Sequence, residues 1–397
     1  MGRTDRNDPA PPSASRSGLR FLHTADWQLG MTRHFLDADA QPRYSGARIE
    51  AITAIGELAE QQGCEFVLVC GDVFESNAVS ERVVHRAAER LAAFAMPVYL
   101  LPGNHDPLDA ISIYRQPAFL AAMPEQVRVL TEPGRRRIRP GLEIVAAPWF
   151  SKHPTGDLIA QALDGVPADG TLRVVAGHGR VDTLSPDPTD RTMIAITTLE
   201  AALNRGAVQM VALGDRHSAT SVGSTGRIWY SGTSVVTDYD EVDPGQALVI
   251  DLDGERISVT PHRVGTWQFT DLVRSLDGST GVENLLAELN HFASKDTTVL
   301  RLSLTGTLTL AEKARLDDGL DRLRGVFAAI EVWDKRSDLA VIVDRDELGS
   351  IGVHGYAAAA VAELARAAGP AAGAADESAV TARDALALLH RLVAGRT

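Results

Sequence analysis

The sequence predicts an α/β fold in which a sheet-containing domain is followed by a small α+β domain and by C-terminal helices. Short apolar segments alternate with amphipathic helical segments near the start of the chain, which is typical of largely parallel sheets covered by helices. Five of the apolar segments end in a polar cluster. Ligands of such sheets bind at the carboxyl ends of the strands, so we expect these clusters to converge on one edge.

The elements of the first domain follow from the spacing of apolar residues. Strands followed by a polar cluster are predicted over 19–23, 66–70, 97–101, 172–176 and 208–213. Apolar residues at three- and four-residue spacing predict helices over 47–62 and 80–95. From about 227 to 264 the chain is rich in strand-like segments, and Asp253-Gly254 predicts a hairpin. We expect this region to complete the first domain with a second sheet.

The second half of the chain has a different pattern. It predicts helices over 282–293 and 310–327, with strands over 298–305, 329–333 and 339–343. Two further helices are predicted in an Ala-rich region, over 356–368 and 379–393. The expected organisation is therefore a polar, disordered tail over 1–18, a first domain over 19–265, an α+β domain over 266–346 and a helical tail over 347–397.

The charge balance limits the kind of partner that the surface can attract. The chain has 39 basic and 52 acidic residues, for a net charge of -13. This argues against a broad nonspecific nucleic-acid surface. It does not exclude a nuclease, because bound divalent cations invert the local charge of a site.

Cysteine content and hydropathy indicate a cytoplasmic protein. Cys64 and Cys70 lie about 20 Å apart if one strand spans both, whereas a disulfide needs Cα atoms within about 7 Å, so we expect two reduced thiols. No apolar segment approaches the ~20 residues needed to span a bilayer. The polar first residues contain no apolar stretch that could act as a secretory signal.

The polar clusters supply the residue types that two-metal phosphoester hydrolysis requires. Two ions about 3.5–4 Å apart make hydroxide from water and neutralise the phosphate, and a nearby cationic donor can stabilise the leaving oxygen. The ions need a bridging carboxylate and further oxygen and nitrogen ligands on separate elements. In chain order the clusters are Asp26-Trp-Gln28, Gly71-Asp72, Gly103-Asn-His-Asp106, Gly177-His178 and Gly214-Asp-Arg-His217.

In this order the motifs resemble those of the calcineurin-like metallophosphoesterases, over about residues 20–260. Within that family, the segments Leu22–Gly30 and Gly71–Ser76 are most similar to the SbcD-type nuclease subunit of bacterial DNA-repair complexes. The resemblance implies a metallophosphoesterase-type β-sandwich flanked by helices. It also implies that residues 266–346 form a capping domain and that the helical tail is where a partner ATPase docks.

The resemblance implies a specific set of metal ligands. Asp72 would bridge two divalent ions. The first ion would be bound by Asp26, Gln28 and His217, and the second by Asn104, His178 and Asp215. His105 would face the phosphate without binding a metal, as leaving-group acid or transition-state stabiliser. Glu75 or Asp106 would orient it, and Glu75 is favoured.

Two of these ligands depart from the family pattern, because Gln28 and Asp215 stand where the family has histidine. Asp26, Asp72 and Asp215 together carry three negative charges, so two divalent ions leave the site near +1. Oxygen-rich coordination favours Mn²⁺ over zinc, with Mg²⁺ as an alternative.

The leading functional hypothesis is a DNA exonuclease or endonuclease of DNA repair that acts as a homodimer with a coiled-coil ATPase of the SbcC type. Two alternatives stay open. The acidic net charge is compatible with a general phosphomonoesterase or cyclic-nucleotide phosphodiesterase. The substitutions at Gln28 and Asp215 are compatible with a non-catalytic subunit that binds DNA ends or anchors an ATPase.

Overall fold

A computed structural model describes residues 18–184, 190, 192–254, 256–342, 355–369 and 377–394. The tail predicted over 1–18 lies, apart from Gly18, outside the described residues. The same holds for the linker between the two C-terminal helices, at 370–376. In the part of the chain that is described, no helix has the length and hydropathy needed to cross a membrane.

The first part of the chain contains twelve strands within the described residues. They are β1 (Leu19–Thr24), β2 (Val67–Cys70), β3 (Val98–Leu101), β4 (Val127–Val129), β5 (Gly134–Arg139), β6 (Leu142–Ala146), β7 (Leu172–His178), β8 (Met210–Gly214), β9 (Thr220–Val222), β10 (Ile228–Tyr230), β11 (Gln246–Asp253) and β12 (Arg256–Arg263). Its helices are α1 (Ala40–Gln61), α2 (Glu81–Leu91), α3 (Pro117–Ala122), α4 (Leu158–Leu163) and α5 (Ile196–Asn204), with a 3-10 turn at Ile113–Arg115.

The remaining elements form the second part. Its strands are β13 (Gln268–Asp277), β14 (Thr298–Thr309), β15 (Ala329–Val332) and β16 (Asp338–Ile342). Its helices are α6 (Gly278–His291), α7 (Leu310–Arg324), α8 (Tyr356–Ala368) and α9 (Glu377–Ala394), with 3-10 turns at Lys295–Thr297 and Asp334–Arg336.

Two six-stranded sheets of the described chain form a sandwich. Their strand orders are β12-β11-β1-β2-β3-β4 and β5-β6-β7-β8-β10-β9. Strands β1 to β4 are mutually parallel, as are β6, β7, β8 and β10. One apolar core joins the inner faces, with Phe21 and Leu68 from one sheet and Ile144 and Val174 from the other. The predicted β-sandwich and the Asp253-Gly254 hairpin between β11 and β12 are confirmed. The expectation that residues 227–264 form the second sheet is correct only for β10, because β11 and β12 extend the first sheet beside β1.

Helices cover both outer faces of the sandwich. Residues of α1, α2 and α3 pack on the first sheet, where Ile52 and Val84 join a core with Val69 of β2. Residues of α4 and α5 pack on the second, where Ile159 and Leu199 join Val211. The central strands are apolar on both faces because each face is covered.

Helix α1 begins seven residues before the predicted position of 47, at Ala40. The segment Ala40-Gln-Pro-Arg has no apolar periodicity, so its helical state could not be inferred from spacing. The side chain of Asp37 accepts hydrogen bonds from the backbone N–H groups of Asp39 and Ala40, at 2.9 and 2.7 Å. These bonds satisfy the first free donors of the helix.

The chain divides into two compact units that interleave along the sequence. The first contains the chain up to Met31, Arg48–Val235 and Val242–Gly265. The second contains Thr32–Ala47, Val236–Glu241 and the chain from Thr266. The single boundary at 265 expected from the sequence does not describe these units, because two segments before it belong to the second unit.

The second unit has its own sheet and cores. Strand β14 is paired in parallel with β13, β15 and β16. One core joins α6 and α7 to this sheet, and another joins Leu310 and Val341 to Val361 of α8 and Leu386 of α9. Strand β13 is an element that the sequence analysis did not predict, since its burial pattern contains one fully buried residue, Leu276.

Candidate metal centre

Five predicted site segments follow strands β1, β2, β3, β7 and β8 at their carboxyl ends. The structure brings them together. Ligand atoms of Asp26, Asp72 and His178 lie within 4.8 Å of one another, and all three residues are buried. Three buried ligating side chains on three different strands are the kind of rigid arrangement that a metal site requires.

The backbone is strained where these side chains leave the strands. Among the described residues, six that are not glycine have a positive φ, and four of these are predicted metal ligands: Asp26 (53°), Gln28 (43°), Asp72 (52°) and Asp215 (98°). Non-glycine residues rarely adopt this region, and each instance costs about 1–3 kcal/mol. Because the strain is concentrated on one cluster, it marks the cluster as a functional site.

His178 is held with one ring nitrogen facing the cluster. Its Nδ1 lies 2.8 Å from the carbonyl oxygen of Cys70 and donates to it when protonated, which leaves Nε2 for the site. Nε2 lies 2.7 Å from Asn104 Oδ1, 3.4 Å from Asp72 Oδ2 and 3.8 Å from Asp215 Oδ1. The residues expected to bind the second ion therefore surround one nitrogen.

The residues expected to bind the first ion are also neighbours. His217 Nε2 lies 4.0 Å from Asp26 Oδ1 and 3.4 Å from Gln28 Nε2. Asp26 accepts the backbone N–H of Asp215 at 3.1 Å, and Gln28 donates its backbone N–H to Asp72 O at 2.8 Å. The two predicted ligand groups are thus adjacent, although the assignment of each residue to an ion stays a prediction.

The electrostatics of the cluster favour added positive charge. Burial raises the pKa of Asp26 to about 7, against the lowering effect of His217 and His178. Burial opposes a charge on His178, but the carboxylates of Asp72, Asp26 and Asp215 raise the pKa of the imidazole well above its ordinary value. The raised pKa of Asp26 reflects its burial, whereas the raised pKa of His178 shows that the carboxylates give the site an excess of negative charge.

The donor set fits divalent cations. The amide oxygen of Gln28 is buried and has no hydrogen-bond partner in the described part of the chain. A buried polar atom without a partner costs about 1–3 kcal/mol, which a coordinated cation would offset. Gln28 Oε1 and the three carboxylates are hard oxygen ligands, so the structure supports a cation site in which Gln28 participates.

His105 is positioned at the exposed edge of the cluster. Its backbone N–H donates to Asp72 Oδ1 at 2.9 Å, and its Nε2 lies 3.9 Å from Asp72 Oδ2. Its Nδ1 lies 2.9 Å from the carbonyl oxygen of Glu75 and 3.9 Å from the Glu75 carboxylate. Glu75 therefore orients the imidazole through its backbone, with its carboxylate nearby.

Asp106, the alternative orienting residue, has a different role. Its carboxylate accepts the backbone N–H groups of Gly103 at 2.8 Å and Phe74 at 3.0 Å, and the hydroxyl of Tyr114 at 2.6 Å. Because these three donors occupy a fully buried carboxylate, Asp106 fixes the turn that carries Asn104 and His105. The expectation that it orients the imidazole directly is corrected accordingly.

Two positioning residues were not found from the sequence. Trp149 donates its indole N–H to the carbonyl oxygen of His178 at 2.9 Å. Arg48, which is 1% exposed, donates to the carbonyl oxygen of Trp27 at 2.8 Å, between the predicted ligands Asp26 and Gln28. Hydrogen bonds to backbone carbonyl oxygens have no sequence motif, so the role of Trp149 could not be predicted. The position of Arg48 on the apolar face of α1 was a signal that this arginine is buried and bonded.

Comparison with known proteins identifies the family. The family model described as calcineurin-like phosphoesterase matches residues 19–249, which is more than half of the chain. The chain belongs to the calcineurin-like phosphoesterases. Phosphoesterases of this family use a dinuclear metal centre, in agreement with the donor set found here.

Among these phosphoesterases, the chain is similar to two curated proteins. It is 24% identical over 260 residues to the SbcD component of the nuclease SbcCD from Escherichia coli K12, covering 56% of this chain and 62% of the relative. It is 32% identical over 91 residues to "DNA double-strand break repair protein Mre11" of Archaeoglobus fulgidus, covering 22% of this chain and 19% of the relative. The chain therefore spans less than two thirds of either relative's length. A solved dimetal phosphatase from Danio rerio is 13% identical, with a TM-score of 0.41 over 62% of this chain and 96% of that chain.

Above about pH 6.5, the stability of this phosphoesterase without metal is expected to fall as the pH rises. Below that value, His23, whose pKa burial lowers to about 3, has the opposite effect. Asp26, Asp106 (pKa about 6) and His178 all have raised pKa values in the folded protein. Their stabilising contribution is lost between about pH 4 and 7 for the carboxyls and above about 6.5 for His178. Divalent ions would replace the protons on Asp26 and His178, so added Mn²⁺ should raise the melting temperature of EDTA-treated protein more at about pH 8 than at about pH 6. An equal increase in melting temperature at the two pH values would contradict this explanation.

Proposed function

We propose that this phosphoesterase cleaves phosphodiester bonds in DNA, as an exonuclease or endonuclease of DNA repair. The observation that carries the proposal is the position of His105. Its side chain is 36% exposed, whereas Asp72 beside it is 3% exposed, so an accessible imidazole lies against a buried cation site. Similarity to two proteins named as a nuclease component and a break-repair protein supports DNA as the substrate.

The metal ligands would be the seven residues of the two adjacent groups: Asp26, Gln28, Asp72, Asn104, His178, Asp215 and His217. When bound, the two divalent ions supply Lewis acidity that activates water and neutralises charge on the phosphate. We propose Mn²⁺ as the native ion and Mg²⁺ as a substitute, because most of these ligand atoms are oxygens.

His105 would act on the leaving oxygen. Hydrogen bonding of Nδ1–H to the Glu75 carbonyl directs Nε2 away from that loop and keeps it within 3.9 Å of Asp72. When both nitrogens carry a proton, Nε2–H can be donated to the oxygen that departs from phosphorus. General acid catalysis of this kind contributes about 10²–10⁴-fold.

The proposed setting is a cytoplasmic complex with a coiled-coil ATPase. The Escherichia coli relative is, by its name, one component of a larger nuclease. We propose that this chain works as a homodimer with an SbcC-like partner, and that helices α8 and α9 provide the docking region.

The test compares labelled DNA, a chromogenic phosphodiester and a chromogenic phosphomonoester, each with Mn²⁺ and with Mg²⁺. DNA should be cleaved with the highest kcat/KM. The His105→Gln variant should lose about 10²–10⁴-fold in rate while its metal content, measured by elemental analysis, is unchanged.

Two results would replace the proposal. Preference for the phosphomonoester would identify a general phosphatase. If none of the three substrates is cleaved and the protein contains fewer than two ions, the chain is a non-catalytic subunit. The substitutions at Gln28 and Asp215 would then explain the incomplete metal site.

A further inference from the structure

A polar cavity adjoins the metal centre on the side of the second predicted ion. Its volume is about 180 Å³, and Asn104 and Asp215 are among its lining residues. Four further lining residues also carry polar or charged side chains: Lys152, Arg180, Asp190 and Thr192. The cavity thus combines two predicted metal ligands with two cations.

Arg180 is presented to this cavity by a fixed backbone. It follows His178 by two residues, and its carbonyl oxygen accepts the N–H of Ile194 at 2.8 Å. Its guanidinium lies 3.3 Å from the carboxylate of Asp190. Asp190 is itself held by the backbone N–H and the hydroxyl of Thr192, at 2.8 and 2.6 Å. The guanidinium is therefore oriented by a held carboxylate while 56% of the side chain stays exposed.

Lys152 approaches from a second loop that is also tied to the centre. This loop begins at Trp149, whose indole N–H binds the carbonyl oxygen of His178 and whose backbone N–H binds that of Pro102 at 3.1 Å. The side chain of Lys152 is exposed and forms no ion pair with a carboxylate among the residues that the structure describes. Its charge is available to a ligand.

The charge of the cavity rim differs from that of the chain. Lys152 and Arg180 balance the carboxylates of Asp190 and Asp215, so the lining is near neutral on a protein of net charge -13. A volume of 180 Å³ exceeds the ~30 Å³ share of a single water several-fold, so a phosphate fits. Guanidinium and ammonium groups are the side chains that bind phosphate most readily.

We propose that this cavity binds a phosphate adjacent to the scissile one in a nucleic-acid strand, through Arg180 and Lys152. The proposal rests on the proposed function and adds a determinant of substrate class to it. A substrate with a neighbouring phosphate gains contacts that an isolated phosphodiester lacks. The cavity thereby distinguishes polynucleotides from simple diesters without reading any base.

Dinucleotides test this directly. TpT has one phosphodiester, and pTpT and TpTp add a terminal phosphate on either side of it. With Mn²⁺, the wild-type kcat/KM for at least one of pTpT and TpTp should exceed that for TpT by about tenfold or more, because hydrogen bonds to charged groups are strong. The Lys152→Gln/Arg180→Gln double variant should bring this ratio close to one.

A matched control removes the same charge elsewhere. Arg135 and Arg137 are exposed on β5 and do not line the cavity, so the Arg135→Gln/Arg137→Gln variant should keep the wild-type ratio. The inference is overturned if wild type cleaves TpT, pTpT and TpTp with equal kcat/KM, or if the cavity variant keeps the wild-type preference.

A binding measurement separates this inference from the proposed function. Calorimetric titration of the same dinucleotides into His105→Gln protein, with and without the two cavity substitutions, needs no turnover. If wild type cleaves no diester, the proposed function fails, yet a cavity-dependent gain in affinity for pTpT or TpTp still supports the phosphate site. Equal affinities for all three dinucleotides would refute the site even in an active nuclease.

Discussion

Replacing Asp72 by asparagine is expected to abolish metal-dependent hydrolysis while leaving the fold intact. Asp72 is buried, contacts both His178 and His105, and is the residue expected to bridge two ions. Burial alone would raise the pKa of this carboxyl, but His178 and His105 hold it below the ordinary value, so it is an anion at neutral pH. Loss of that anion would remove the charge that two bound ions are expected to share.

The expected loss in kcat/KM is about 10³-fold or more, since metal-held charge stabilises the transition state by several kcal/mol and about 1.4 kcal/mol corresponds to tenfold. Asparagine has nearly the same volume and keeps an oxygen that can accept the His105 N–H, so the variant should still fold without metal. Elemental analysis and phosphodiester turnover measure the effect. Asp251→Asn is the control, because that carboxylate forms a surface ion pair with Arg20. A variant that retains two ions and wild-type turnover would show that Asp72 does not bridge.

Replacing Gly214 by alanine is expected to destabilise the protein and disrupt the centre together. A Cβ at this position would lie 1.9 Å from the carbonyl oxygen of Cys70, 2.7 Å from Cβ of Ala25 and 2.8 Å from Nδ1 of His178. The first contact is with backbone at the end of β2, in the other sheet, and cannot be relieved by a rotamer change. It also displaces the carbonyl that orients His178.

Overpacking costs about 1–3 kcal/mol in free energy of unfolding, and we expect this backbone contact to lie at the upper end, which urea titration would measure. Metal affinity should fall in parallel, because His178 loses its orientation. Gly46→Ala is the matched control: Gly46 lies in α1 with nothing within 4 Å of the added methyl, so it should stabilise the helix by about 0.5–1 kcal/mol. A Gly214→Ala protein as stable as wild type would show that the strands separate easily here.

The sequence was sufficient for the sandwich and for the position of the polar clusters. Strands such as β2 and β8 are apolar on both faces and end in Gly-Asp, so both the strand and its end could be read from one segment. The parallel pairing of β1, β2 and β3 then required that Asp26, Asp72 and Asn104 lie at one edge.

The direction of side chains beyond the strand ends could not be read in the same way. Asp106 directly follows His105, yet its carboxylate points to Gly103, Phe74 and Tyr114, because the buried turn needs its N–H groups satisfied. Trp149 and Lys152 are likewise brought to the centre by a loop with no periodicity. Sequence spacing determines where a strand ends, whereas tertiary hydrogen bonds determine what the next residues face.

The interleaving of the two units has a consequence for synthesis on the ribosome. Within the second unit, the ring of Tyr44 packs on Trp267, with centroids 5.0 Å apart, and Phe35 packs on Phe269 at 5.6 Å. More than 200 residues separate the two members of each pair. Because synthesis adds about 5–20 residues per second, the second ring is made roughly 10–45 seconds after the first. The nascent chain therefore lacks these two ring contacts long after its first strands are complete, and a fragment ending at 265 would never form them.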